Sequence, residues 1–197
     1  MPGAKPGPRH EGGPFLGRGT AQRMSSFEIV SEKPLSGFSE VAFANRRRLR
    51  RIWMVTPWVT ESHGKFDFLS MIVEASRTSR AKVFILTRPP RDTWHATAIE
   101  VLNANLKPIL LFNTSLHAKL YILECNGFRY ALLGSPNLTR RADRDNVEIG
   151  IELRSSFERP VDKVSAMISE LIIYASSLFA EDAAQLQGRA AWVKEGE

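Results

Sequence analysis

Two apolar runs held three residues apart fix the centre of this chain. Residues 118–124 (AKLYILE) and 128–134 (FRYALLG) flank Cys125-Asn126-Gly127. Asn-Gly favours a tight turn, because glycine takes positive φ at no steric cost, so the two runs are expected to pair as an antiparallel hairpin. Upstream the pattern is different. Residues 38–49 carry apolar side chains at helical spacing behind a candidate N-cap, Ser36. Residues 51–56 (RIWMVT) form a β-rich run stopped by Pro57. Helical spacing returns over 66–77, followed by an apolar strand at 82–87, a helix over 93–105 capped by Asp92, and a strand at 108–112. Strands alternating with helices imply parallel pairing with helices on the faces. Downstream of the hairpin, 147–153 (VEIGIEL) alternates as a strand, and 161–179 is a long amphipathic helix. The expected fold is therefore α/β, a mixed and mostly parallel β-sheet sandwiched between helices.

Domain organisation follows from composition. Residues 1–25 are rich in Gly, Pro and Arg and lack periodicity, so they are expected to be disordered. Met24 is a second candidate start. One folded domain is expected over 26–182, with a polar, alanine-rich tail over 183–197. One cysteine, Cys125, leaves no partner for an internal disulfide, which fits a reducing compartment. No run of 18 apolar residues is present, and the N-terminus lacks a signal-type apolar core. A cytoplasmic protein without integral membrane association is the expectation.

The net charge of +6 is uneven. Residues 1–154 hold 23 Lys and Arg against 14 Asp and Glu, whereas 155–197 hold 4 against 7. A basic field favours a polyanion, either nucleic acid or an anionic membrane surface, and it also fits a soluble protein with no such partner.

The chemistry concentrates in and beside the hairpin. His117 and Lys119 are two apart and share a face if the segment is extended. Ser135 and Asn137 are also two apart, at the end of the second strand, and the hairpin sets the two pairs side by side. An imidazole, an ammonium, a hydroxyl and an amide that converge suit a phosphate diester. Lys119 and Asn137 can bind the non-bridging oxygens and stabilise developing charge. His117 can attack phosphorus or protonate the leaving oxygen. Glu148 can hold a ring N–H and fix the tautomer, or can be a solvated strand residue. No carboxylate cluster points to a metal, and no cofactor is expected.

The ordered set His117-x-Lys119, Gly134-Ser135-x-Asn137 and Asn146-x-Glu148 resembles the H-x-K-x4-D and Gly-Ser-x-Asn signature of the phospholipase D superfamily, over residues 35–180. The resemblance implies a metal-independent phosphodiesterase in which His117 forms a phosphohistidine. Lys119 and Asn137 would bind phosphate, Ser135 would support the site, and Glu148 would orient His117. Glu124 stands where the family has aspartate, a mostly structural position. An active site of this family needs two motifs, and this chain holds one complete copy. His63-Gly64-Lys65 has no Gly-Ser-x-Asn behind it. The resemblance therefore implies a homodimer with the two His117 rings facing across a two-fold axis.

Around this set, Arg140, Arg141 and Arg144 are expected to bind nucleic acid, and Trp58 to line the cleft and stack a base. Arg46, Arg47, Arg48, Arg50 and Arg51 read equally as a solvated helix end or as phosphate contacts. Trp53 reads as core, His63 and His95 as ordinary surface or loop residues, and Cys125 as chemically idle. The leading expectation is an endonuclease on DNA or RNA. The rivals are a phospholipase or phosphatidyl transferase, and a non-catalytic nucleic-acid-binding module.

Overall fold

The computed structural model describes residues 25–60, 68–139 and 147–193. In chain order the elements are β1 (Ser25–Val30), α1 (Pro34–Ala44), β2 (Leu49–Val55), α2 (Phe68–Ser79), β3 (Lys82–Thr87), α3 (Thr93–Leu106), β4 (Ile109–Phe112), β5 (Leu120–Cys125), β6 (Phe128–Gly134), β7 (Gly150–Ser155) and α4 (Lys163–Val193). The strands make one sheet in the order β1-β7-β6-β5-β2-β3-β4. The mixed sheet between helices is as expected, but parallel pairing is not the majority. It is confined to β2, β3 and β4, which are joined through α2 and α3. All other neighbours, including β2 with β5, are antiparallel.

The pleat of β2 shows how the faces are divided. Ile52 and Met54 point to one face, where they pack with Leu35 and Phe38 of α1, Ile72 of α2 and Leu102 of α3. Trp53 and Val55 point to the other, against Ile168, Ala175 and Phe179 of α4. Trp53 stacks on Phe84 at 4.0 Å, and Phe179 meets both rings edge-on. Lys163–Ala180 is long and apolar enough to cross a membrane by composition, but this segment supplies the sheet-covering stripe just described. At its start, Asp162 accepts from Ser165 N–H at 2.8 Å while Ser165 Oγ accepts from Asp162 N–H at 3.0 Å, a reciprocal cap.

Several boundaries differ from expectation. α1 begins at Pro34, four residues early, because proline is pre-set for the first helical position, and Ser36 is not its cap. Arg46–Arg48 belong to the turn that follows α1. Asp92 is the N-cap of α3 without a side-chain bond; its carbonyl accepts from His95 and Ala96 N–H. Ser25, expected in a disordered segment, opens β1 opposite Ser155. Residues 1–24 lie outside the described residues. The polar tail does not separate from the last helix up to Val193.

Candidate active site

The hairpin register places the chemistry. Leu120 pairs with Val55, so the approach to β5 lies beyond the carboxyl end of β2. Leu120 also pairs with Leu133, and Lys119 carbonyl accepts from Gly134 N–H at 3.3 Å, one step past the strand. His117 and Lys119 therefore sit in the segment entering β5, not inside the strand. His117 is exposed and Lys119 half-buried.

Gly134 is where the backbone must be bare. Its φ is +154°, and an added Cβ would collide with the Ile149 carbonyl and lie 2.8 Å from Gly150 Cα. That close approach brings Ser135 against the segment entering β7. Ser135 N–H donates to Ile149 carbonyl at 3.0 Å, and Ile149 N–H donates to Ser135 Oγ at 3.0 Å. The Ser135 hydroxyl gives its proton to Glu148, whose side chain is only 6% exposed. Two of the expected residues, Ser135 and Glu148, are thus joined directly. The bonding also defines Ser135 as a pin: its one O–H is given to the carboxylate.

The loop beyond is tied to the sheet on both sides. Tyr121 hydroxyl donates to Pro136 carbonyl at 2.8 Å, and burial raises its pKa far above the ordinary phenol value, so it stays a neutral donor. Leu138 N–H donates to Thr56 Oγ1 at 3.2 Å, and Leu138 bridges Val59 in parallel. Asn137 lies between these ties, half-buried, and its Oδ1 is buried with no hydrogen-bond partner. Such an unpaired acceptor costs stability; a phosphate diester offers it no hydrogen, so a phosphate contact of Asn137 would be made by its Nδ2.

Other expected residues fall as follows. Trp58 is half-buried beside this edge, with the Arg88 guanidinium 5.4 Å above its ring. Arg140, Arg141, Arg144, Asn146, His63 and Lys65 lie outside the described residues. The arginine run of 46–51 sits at the opposite end of the sheet, roughly 20 Å away along β5. There Arg48 exchanges bonds with Asn126, and Arg51 meets Glu124 at 3.4 Å. Glu124 also accepts the Trp53 indole N–H at 2.8 Å. Cys125 is buried, with its thiol pushed up to about 12.

His95 departs from expectation. It is fully buried under Trp58 and Trp94 rather than at the surface. Its neighbours come from separate elements, so no local sequence pattern announces the cluster. A surface groove lies elsewhere, between α2 and α3, and is lined by residues such as Leu69, Val73, Arg77 and Val101. Among the described residues, no three His, Cys, Asp or Glu side chains gather as metal ligands.

No protein-family model matches the sequence, and no curated protein sequence matches it. Solved structures do. A phospholipase D family member, Nuc from Salmonella typhimurium, superposes with a TM-score of 0.58 at 16% identity, covering 78% of this chain and 93% of its own. NucT from Helicobacter pylori gives 0.55 at 12% identity, covering 82% and 97%. The fold is the phospholipase D-like fold.

Proposed function

We propose that this chain is a metal-independent phosphodiesterase, an endonuclease that cleaves DNA or RNA through a phosphohistidine at His117. The observation that carries the reading is the Ser135–Glu148 pair, pinned to the β7 approach at the same end of the sheet as exposed His117. Lys119 and Asn137 bind the non-bridging oxygens, and Glu148 orients the attacking ring. His117 of one copy attacks phosphorus, and the P–O bond to the leaving strand breaks. His117 of a second copy gives its proton to that oxygen. Water then attacks phosphorus, its proton returns to the second imidazole, and the P–N bond breaks.

A second copy is supported by apolar surface beside the site. Val147 and Ile149, which flank Glu148, are 93% and 59% exposed, and Phe27 and Ile29 are exposed on the edge strand β1. Nucleic acid is supported by the basic balance of residues 1–154, which includes Arg140, Arg141 and Arg144.

The test is cleavage of single- and double-stranded DNA and RNA in chelator, with mass spectrometry for a nucleotide adduct on His117. Chelator-resistant cleavage and an adduct are expected. A magnesium requirement, or full activity of His117→Ala, would overturn the reading. Choline release from phosphatidylcholine vesicles without strand cleavage selects a lipid substrate instead. Sedimentation is expected to give a dimer.

A further inference from the structure

Beside His117, the carboxyl ends of β2, β3 and β4 carry a second group of side chains that the proposed chemistry does not use. Trp58 follows β2, Arg88 and Arg91 follow β3, and Thr114 follows β4; with Pro89 they line one small cleft. Arg88 joins this cleft to the reacting edge. Its Nε donates to the Leu116 carbonyl at 2.8 Å, one residue before His117, while its guanidinium lies over the Trp58 ring. The next indole, Trp94 on the first turn of α3, tilts against Trp58 at 6.1 Å and is 44% exposed.

Both indoles are braced from beneath. His95 stacks under Trp94 at 5.5 Å and meets Trp58 in a T-shape at 5.6 Å. Its Nε2 lies 3.3 Å from Thr87 Oγ1, which in turn donates to Pro57 carbonyl at 3.3 Å. Desolvation lowers the His95 pKa, against the pull of Asp92, and so favours a neutral ring that carries no competing charge. Two rings at the surface, fixed from below and bordered by two arginines, make a platform for a flat, electron-rich ligand carrying phosphate. Asp92 is the acidic residue beside it.

We propose that Trp94 and Trp58, with Arg88 and Arg91, form a stacking subsite for an unpaired base of the strand whose neighbouring phosphate reaches His117. The inference rests on the phosphodiesterase reading above and adds a substrate class to it: single-stranded nucleic acid. A base paired in a duplex has both faces stacked already, whereas an unpaired base offers a face to an indole. The arginines take the flanking phosphates, and Arg88 couples occupancy of the platform to the backbone that carries His117.

The experiment uses the full chain carrying His117→Ala, so that bound strands persist. A 12-residue thymidine oligonucleotide, an abasic strand of the same length and charge, and a blunt duplex are titrated at fixed salt. Affinity is read by anisotropy and by tryptophan quenching. The base-bearing single strand should quench and bind about tenfold more tightly than the abasic strand. Trp94→Ala should remove that difference, and Trp94→Phe should restore most of it. Arg91→Ala should weaken all three ligands and lower the salt slope by about one.

Equal affinity for abasic and base-bearing strands would overturn the proposal. So would an unchanged preference in Trp94→Ala, or quenching by phosphatidylglycerol vesicles but not by oligonucleotides. The two readings fail separately. Trp94-dependent binding by a protein that cleaves nothing keeps the subsite and removes the chemistry. Cleavage that ignores Trp94 and strandedness keeps the chemistry and removes the subsite.

Discussion

The two ends of the sheet both carry polar and charged side chains, and the protein treats them in opposite ways. At the Asn126 end the groups are spent on one another. Arg48 closes onto Asn126, Arg51 meets Glu124, and Glu124 takes the Trp53 indole N–H. At the His117 end they are held in place but left open. Ser135 and Glu148 pin a loop, His117 is exposed, and Asn137 keeps an unpaired oxygen. Residue type therefore does not separate structure from site here; the five-arginine run is the more conspicuous in sequence, yet Arg46, Arg48 and Arg51 are bonded within the fold. Satisfied polar groups add stability, whereas an exposed ring stays accessible to a substrate.

The largest expected effect breaks this comparison at its open end. His117→Ala should lower turnover by roughly 10³-fold or more, while stability changes by no more than about 0.5 kcal/mol, as for an exposed residue. Single-turnover cleavage beside a thermal melt measures both. A large loss of melting temperature would assign the ring to packing instead. The next effect mixes the two currencies. Gly134→Ala forces a Cβ into the Ile149 and Gly150 backbone, so it should cost about 1–3 kcal/mol and displace Ser135 from Glu148. At this size the melting temperature should fall by roughly 2–4 °C per kcal/mol. A variant that melts normally and cleaves normally would mean that the close approach does not hold the site.

What was legible in sequence follows the same division between local and distant causes. The Asn126-Gly127 turn fixed β5 and β6, with Gly127 at φ 71°, and β3 begins and ends where its apolar run does. Those are local signals. β1 has no usable one: in SSFEIV the apolar Phe27 and Ile29 face solvent on an edge strand, so no buried alternation marks it. The insertion of β5 between β2 and β6 is also silent, since an antiparallel neighbour contributed from far along the chain leaves no mark on β2 itself. Within the site, Ser135 could be named from its spacing to Asn137 and Glu148 from the family resemblance, but their bond to each other depends on Gly134 lying against Gly150. His95 was misread because one histidine in a helix looks the same whether it faces water or two indoles.

Glu124 tests the closed end, with a smaller expected effect. Glu124→Ala leaves the buried Trp53 N–H without an acceptor and should cost about 1–3 kcal/mol. Glu124→Gln keeps an acceptor and loses only the Arg51 pair, whose arginine is 44% exposed, so less than about 1 kcal/mol is expected. Both variants should retain turnover below their melting temperatures. Loss of cleavage in a well-folded Glu124→Gln protein would show that the carboxylate reaches past its structural partners.

The smallest effect concerns the His117 end again, where His95 braces the aromatic platform. Burial lowers its pKa in the folded state, and the Asp92 charge only partly offsets this. Between that lowered value and the ordinary value of about 6.5, the unfolded chain binds a proton that the folded chain does not. Stability from this group is therefore complete above about pH 6.5 and declines as pH falls, levelling once the folded ring also titrates. Melts from pH 7.5 down to 5 should show this decline, and His95→Gln should flatten it, because the amide does not titrate. The same acidification should loosen Trp94 from the ring beneath it, shifting its emission before the protein unfolds. Equal slopes in the two proteins would locate the acid sensitivity in another group and leave the indoles without their proposed brace.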